Sequence, residues 1–311
     1  MTVAETIKQI TRNHLLAGNG LALGQCLTAV GWVGGTVPEL AEADGLVELS
    51  MADVAGGAIA TGAALAGRRP IYIVRYQGFQ WYNAASILNY AAKSKEMWNV
   101  PCPIFVRSIA MEGGIGPVAG SSHHGIYHRM PGITIASPMT PGEYRAVWDY
   151  FMDHDEPIYV SEHRKSFPVD HELPDIIHKH ADLTLFPISI TRFAAVEAAA
   201  ILEREGIVCN IIHLLWLKPF RPTDDMKQAM AASTYGGLVL DDDFTNGVAK
   251  SLAFDLMHAG KKQVFAMGLE ERTAGFAPPL DNLPPSPEKI VNYVKRIVRP
   301  DTASTADGGT R

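Results

Sequence analysis

The chain is poor in cysteine. Its three thiols, Cys26, Cys102 and Cys209, are scattered over 311 residues with no CxxC pair. That spacing excludes a disulfide-stapled scaffold and a thiolate zinc site, and predicts buried free thiols in a reducing, cytoplasmic setting. Positive charge is also scarce: 27 Lys and Arg stand against 33 Asp and Glu, a formal net charge of −6. A nucleic-acid footprint is therefore not expected. No apolar run reaches the roughly 18 residues of a membrane span. The opening MTVAETIKQI is polar and amphipathic, without the core of a signal peptide. No GxGxxG follows a strand, and no P-loop or GxSxG elbow occurs, so the common dinucleotide, nucleotide and serine-hydrolase signatures are missing. A GDG triplet followed by an Asn pair is missing as well.

What is present is core material. Hydrophobic residues make up 47% and charged residues 19%, which excludes wholesale disorder, and the length predicts two domains. The stretch Val47–Phe79 organises the rest. Leu46–Leu49 reads as the end of a short strand. Ser50-x-x-Asp53 fits a capping box opening a helix. That helix is nearly all Ala and Gly, from Ala55 through Gly56, Gly57 and Gly62 to Ala64. Each interior Gly costs about 1 kcal/mol relative to Ala, so the cluster predicts close approach of another backbone or a flat ligand. Gly67 ends the helix, and Ile71–Val74 is a continuous apolar run, read as a buried parallel strand. A ligand would sit beyond the strand's carboxyl end, beside Asp53.

The remaining pattern alternates strand and helix, predicting a mainly parallel α/β sheet with helices on both faces. Expected elements are a helix Thr2–Ala17, strand Leu21–Thr28, loop Gly31–Gly35, short helix Pro38–Ala43, helix Trp81–Trp98 with Tyr90 facing inward, and strand Ile104–Arg107. A Gly-rich loop Glu112–Ser122 follows, then strand Ile133–Ser137, helix Pro141–Asp153 and strand Ile158–Ser161. Glu162–Ala181 turns polar. Residues 1–165 are expected to form the first domain, 166–186 a linker, 187–299 a second α/β domain and 300–311 a frayed tail. The second domain is read as strand Ile188–Thr191, helix Ala194–Glu205, strand Val208–Leu214, helix Thr223–Ala231, strand Gly237–Asp241, helix Ala249–Gly260, strand Gln263–Met267 and helix Ser286–Val298.

Candidate chemistry sits in a few places. Asp53 is either a cap or an acid at the sheet's carboxyl edge. Phe79, Trp81 and Tyr82 are either core or a stacking wall for a heteroaromatic ring. Ser121-Ser122-His123-His124 follows the Gly-rich loop, and one of the two His residues fits an active-site rim as proton donor. No metal site is expected there, because adjacent His side chains diverge. His163, His171, His178 and His180 read as surface residues. Asp241-Asp242-Asp243 reads as a solvated or hinge feature.

The runs SMADVAGGAIATGAALAG and RPIYIVRYQGFQWYNAASILNYAAK resemble the β subunit of 2-oxo acid dehydrogenase decarboxylating components, within the transketolase-like superfamily. The early GGT-x-x-x-L, PGITIASPMTP, EPIYVSEHRKSF and LLWLKPFRPTDD add to the likeness, which covers about residues 2–298. The resemblance implies a pyrimidine-binding domain followed by a transketolase C-terminal-type domain, with thiamine diphosphate as cofactor. It implies that pyrophosphate and Mg²⁺ are held mainly by a separate α subunit carrying the absent GDG motif, in an α₂β₂ assembly active only when joined. The substrate implied is a 2-oxo acid, decarboxylated with acyl transfer. A split transketolase-like or carboligating subunit acting on a ketose, or an inactive scaffold, are the alternatives. The surface around Gly56–Gly62 and Phe79–Tyr82 is expected to meet the partner.

By the same resemblance Asp53 takes the place of the acid that hydrogen-bonds N1′ of the aminopyrimidine and so activates the cofactor. Phe79 is the stacking ring and His123 the active-site His. The family has Glu where this chain has Asp53, which is shorter by one C–C bond, roughly 1.5 Å. Gln25 stands where the family's strand ends in an acid. Arg75 stands where an apolar residue is common, and is expected to face an acidic substrate or to pair with Asp53.

Overall fold

The computed structural model of the chain describes residues 1–111, 121–274 and 282–299, apart from the side chain of Val30. It divides into two units. Among the described residues, one is built from Met1–Leu173, Leu215–Pro219 and residues 273–274, the other from Pro174–Leu214, Phe220–Arg272 and residues 282–299.

In the first unit, α1 (Val3–Leu16) opens on a capping box: Thr2 Oγ1 accepts from the Glu5 N–H, and Glu5 Oε2 accepts from the Thr2 N–H. There follow β1 (Gly20–Gln25), α2 (Ala29–Gly35), β2 (Leu46–Leu49), α3 (Asp53–Leu65), β3 (Arg69–Val74) and α4 (Gln80–Ser86). A π-turn at Ile87–Ala91 joins α4 to α5 (Ala92–Trp98). Then come β4 (Phe105–Ala110), α6 (Gly125–His128), β5 (Thr134–Ala136), α7 (Pro141–Asp153) and β6 (Ile158–His163). The chain builds β7 (Leu183–Pro187), α8 (Thr191–Arg204) and β8 (Cys209–Ile211) of the second unit, and returns to the first for β9 (Trp216–Lys218). It finishes the second unit with α9 (Asp224–Ala232), β10 (Gly237–Phe244), α10 (Val248–Gly260), β11 (Val264–Leu269) and α11 (Pro287–Val298).

The first sheet has the order β2-β1-β3-β4-β6-β5-β9, parallel except where β9 runs against β5. Strand order reverses at β1 and β3, so the crevice expected of an open parallel sheet lies at their carboxyl ends. The second sheet, β11-β10-β7-β8, is wholly parallel. Its core joins Leu183, Leu185, Leu238 and Leu240 to Ala198 and Leu202 of α8 and to Ile290 and Val294 of α11. Among the described residues no helix is long and apolar enough to cross a membrane.

Several local expectations are corrected. Ser50 does not cap α3: Ala52 is the N-cap residue, no side chain caps it, and Asp53 is the first helical residue. The cause is a tight backbone turn in which the Ala52 N–H donates to Ser50 O at 2.7 Å. β1 stops at Gln25 because Cys26 takes φ +54°. Gly31–Gly35 is part of helix α2 rather than a loop, with five successive φ values between +53° and +80°. The turn is left-handed, which costs non-glycine residues such as Trp32 and Val33 roughly 1–2 kcal/mol each. The helix expected at Pro38–Ala43 contracts to one 3₁₀ turn, Glu42–Asp44. Tyr90 is exposed, because the π-turn rotates it away from the buried Ile87, Leu88 and Ala91. Asp241–Asp243 are buried within an extended β10, where Asp242 Oδ2 accepts from Ser189 Oγ at 2.8 Å. All three cysteines are free; Cys102 and Cys209 are buried, but Cys26 is only half-buried. Most of the Gly-rich loop, residues 112–120, lies outside the described residues.

His163 is buried rather than at the surface, because β6 runs on through Glu162 and His163. Glu162 takes a bidentate ion pair from Arg107 of β4, Nε to Oε1 at 2.7 Å and Nη2 to Oε2 at 2.9 Å. Tyr144 Oη of α7 donates to Glu162 Oε1 at 2.8 Å, and Arg107 Nη2 also donates to Thr36 Oγ1, just beyond α2, at 3.0 Å. Both charged groups are almost fully excluded from water. Glu162→Ala leaves the guanidinium buried without its counter-charge and is expected to cost about 3–5 kcal/mol. Urea unfolding checks this: the midpoint should fall sharply, and an unchanged midpoint would contradict the buried pairing.

Candidate active site

A cavity of about 200 Å³ opens at the carboxyl ends of β1 and β3. Four elements supply its walls. β1 brings Gln25 and Cys26, the first turn of α3 brings Asp53, and β3 with its exit brings Tyr72 and Arg75. The turn before α4 brings Phe79. Gln25, Asp53, Arg75 and Phe79, each singled out from the sequence, thus line one space, and Met51 and Asn83 complete it.

The cavity's shape follows from two glycines. A Cβ on Gly56 would lie 2.3 Å from Tyr72 Oη, and one on Gly57 would lie 2.3 Å from the Asn83 carbonyl oxygen. The close approach predicted for the Ala/Gly helix is therefore to β3 and α4 of the same chain, and these two glycines are buried there rather than on an outer face. Tyr72 Oη donates to Asn83 Oδ1, which also accepts from the Gly57 N–H at 3.2 Å. Burial, and then the charge of Asp53, push the Tyr72 phenol well above its usual range, so Tyr72 remains a neutral donor. Asp53 itself sits half-buried at the positive end of α3, where a carboxylate is favoured.

Arg75 does not pair with Asp53. Its guanidinium turns instead to the Cys26 carbonyl at 3.3 Å and over the Tyr76 ring at 5.7 Å. Gln25 Nε2 is buried with no hydrogen-bond partner among the described residues. A buried donor without a partner costs roughly 1–3 kcal/mol, and here it belongs to a residue of the cavity wall. Cys26 Sγ contacts Met51 Sδ at 3.6 Å.

His123 lies outside this lining and is held by a separate clamp. Gln77 Oε1 accepts from its backbone N–H at 2.6 Å, and Gln80 Nε2 donates to its carbonyl at 2.7 Å. Gln77 Nε2 donates in turn to Ser161 Oγ at 2.9 Å, and Gln80 Oε1 accepts from Ser108 Oγ at 3.0 Å. The turn that places Phe79 in the cavity therefore also fixes His123. The signal for this was present in Gln77-x-x-Gln80-x-x-Asn83: three amides at helical spacing inside an aromatic run share one face. The His123 ring lies near Ser121 Oγ, at 3.3 Å, and edge-on to Trp81. Trp81 and Tyr82, grouped with Phe79 from the sequence, point outward instead. His124 is fully buried, with Nδ1 3.2 Å from Ser161 Oγ.

The His123 imidazole is pushed down to about 4, chiefly by burial and secondarily by His124. At pH 7 the imidazole is therefore neutral. An unfolded His titrates near 6.5. Stability tied to neutral His123 is therefore complete above about pH 6.5 and is lost as pH falls toward about 4. His123→Gln is expected to flatten that part of the curve of unfolding free energy against pH. Parallel curves for the two proteins would show that His123 is not held neutral.

The family described as transketolase, pyrimidine binding domain, matches residues 33–169. The 2-oxoisovalerate dehydrogenase subunit beta of Bacillus subtilis is 25% identical over 220 residues, covering 63% of this chain and 63% of that protein. The matched stretch thus spans less than two thirds of that relative. The pyruvate dehydrogenase E1 component subunit beta of Rickettsia felis is 25% identical over 263 residues, covering 77% and 79%. A solved structure described as a split gene transketolase, inactive beta4 tetramer, superposes with a TM-score of 0.75 at 15% identity, over 96% of this chain and 98% of that one. At that identity the match shows the fold alone.

Proposed function

Starting from a transketolase-type pyrimidine-binding domain over residues 33–169, we propose that the chain is the β-type subunit of a two-subunit, thiamine-diphosphate-dependent enzyme that cleaves a 2-oxo acid. The observation that carries this reading is the cavity that gathers Asp53, Gln25, Arg75 and Phe79 at the strand-order reversal. Its residues fit an aminopyrimidine: a carboxylate, a buried amide N–H in need of an acceptor, and a flat aromatic wall. The relatives named for 2-oxo acid dehydrogenases favour a 2-oxo acid over a ketose.

Thiamine diphosphate, when bound, would stabilise the negative charge left on the former carbonyl carbon as the carboxylate departs as CO₂. Asp53 holds a proton at ring nitrogen N1′, and the packing of α3 at Gly56 and Gly57 brings its shorter side chain toward the cavity. Gln25 Nε2 donates to the ring. Phe79 bounds one side and excludes water. Arg75 places positive charge on the wall for the substrate carboxylate. His123, neutral and held by its backbone, accepts or returns a proton at the rim.

The pyrophosphate and Mg²⁺ belong to an α-type partner. The surface that receives it is the outer side of α3 and α4, where Val54 is 69% and Trp81 63% exposed, with Ile59 and Tyr82 beside them. Such an apolar patch marks an interface.

The test is co-expression with an α-type subunit carrying the pyrophosphate motif, followed by turnover assays across 2-oxo acids. Asp53→Asn should lower turnover by at least about 10²-fold while costing at most about 1 kcal/mol of stability. Asp53→Asn at wild-type turnover would remove Asp53 from the chemistry and overturn the proposal.

A further inference from the structure

We propose that the second unit carries a nucleotide-binding cleft at the amino ends of β10 and β11, separate from the cavity at Asp53. A space of about 630 Å³ opens there, within the roughly 300–1,000 Å³ typical of small-molecule sites. Tyr235 and Gly236 enter it just before β10, Lys262 just before β11, and Tyr293 and Arg296 from α11. Tyr293 and Arg296 are three residues apart and so share a helical face. The floor depends on Gly236, at φ +86°, where a Cβ would lie 2.0 Å from the Gln263 carbonyl oxygen.

The chemistry of the lining is one-sided. Among the described residues it holds two cations and no Asp or Glu. Lys262 Nζ is anchored by donating to the carbonyls of Ala231, at 2.9 Å, and Ser233; an ammonium has three N–H groups, so one remains for a ligand. The Arg296 guanidinium lies over the Tyr293 ring at 5.3 Å. Its neighbour Lys295 is paired with Glu205 at 2.6 Å, whereas Arg296 has no carboxylate partner among the described residues. Three rings adjoin these charges: Tyr235, Tyr293, and Phe265 edge-on to Tyr293 at 6.4 Å.

Cations without acids select an anion, and ring faces beside them select a flat ring. One ligand class meets both demands: a nucleoside mono- or diphosphate, with its base on the tyrosine rings and its phosphate at Arg296 and Lys262. A bare phosphate leaves the rings unused, and an uncharged aromatic leaves the cations uncompensated. Asp241–Asp243 lie toward the other end of β10, so they do not oppose an anion at this edge.

The probe is ADP, titrated into the full-length chain by calorimetry. Saturable one-to-one binding is expected, with adenosine and inorganic phosphate each weaker by about tenfold or more. Arg296→Ala should weaken ADP by about tenfold or more and Arg296→Lys by less, since the charge is kept. Arg296 is exposed, so both variants should retain the wild-type melting temperature. Excess thiamine diphosphate should not displace ADP. Absence of saturable ADP binding, equal affinity in wild type and Arg296→Ala, adenosine binding as tightly as ADP, or displacement by thiamine diphosphate would each overturn the proposal.

Discussion

The first unit depends on how closely α3 approaches β3 and α4. Ala and Gly make up most of α3, and at Gly56 and Gly57 even one methyl group would collide with the Tyr72 hydroxyl or the Asn83 backbone. Two glycines within a helix cost about 1 kcal/mol each. That cost is offset by the shared hydrogen bonds of Asn83 to Tyr72 and to the Gly57 N–H. Because α3 is locked at this depth, its first residue, Asp53, reaches the same cavity as Gln25, Arg75 and Phe79. Asn83 begins one arm of the constraint, and Gln77 and Gln80 extend it to the backbone of His123. The packing of α3 thus sets the cavity, and the separate amide clamp sets the His123 backbone.

A second constraint joins two inner strands of the same sheet. The Arg107–Glu162 pair ties β4 to β6, while Tyr144 and Thr36 bring in α7 and the exit of α2. Buried ion pairs contribute little net stability, because desolvation offsets the attraction. We read this one as a registration device: it fixes where β6 lies against β4. Ser161 of β6 and Ser108 of β4 are the same residues that anchor Gln77 and Gln80.

Much of this was legible in the sequence where one local rule acted alone. The continuous apolar run at Ile71–Val74 could only be a buried strand, and Gly67, at φ +87°, does follow the end of α3. The helix Pro141–Asp153 matched to the residue, because Thr140 caps it and Pro141 sits at its first turn. Legibility failed where tertiary contacts overrode local signals. Ser50 had the residue type and spacing of a cap, yet the turn at Ala52 took the backbone elsewhere. The three acids at Asp241–Asp243 looked solvated by charge, but β10 extends through them into the interior. The left-handed course of Gly31–Gly35 leaves no mark in composition beyond its glycines. At the cavity, Asp53 and Phe79, both singled out from the sequence, do share one lining, while the amides of Gln77, Gln80 and Asn83 were hidden in an aromatic run.

We propose that Asp53, one bond shorter than the acid usual in the family the chain resembles, still acts on a bound aminopyrimidine because α3 packs tightly on β3 and α4 at Gly56 and Gly57. Hydrogen–deuterium exchange at C2 of thiamine diphosphate reports that action before any substrate chemistry. It should be measured on the chain joined to its α-type partner. Exchange far faster than in free cofactor is the expected result. Exchange no faster than in free cofactor would contradict the assignment of Asp53 and, with it, the catalytic reading of the cavity.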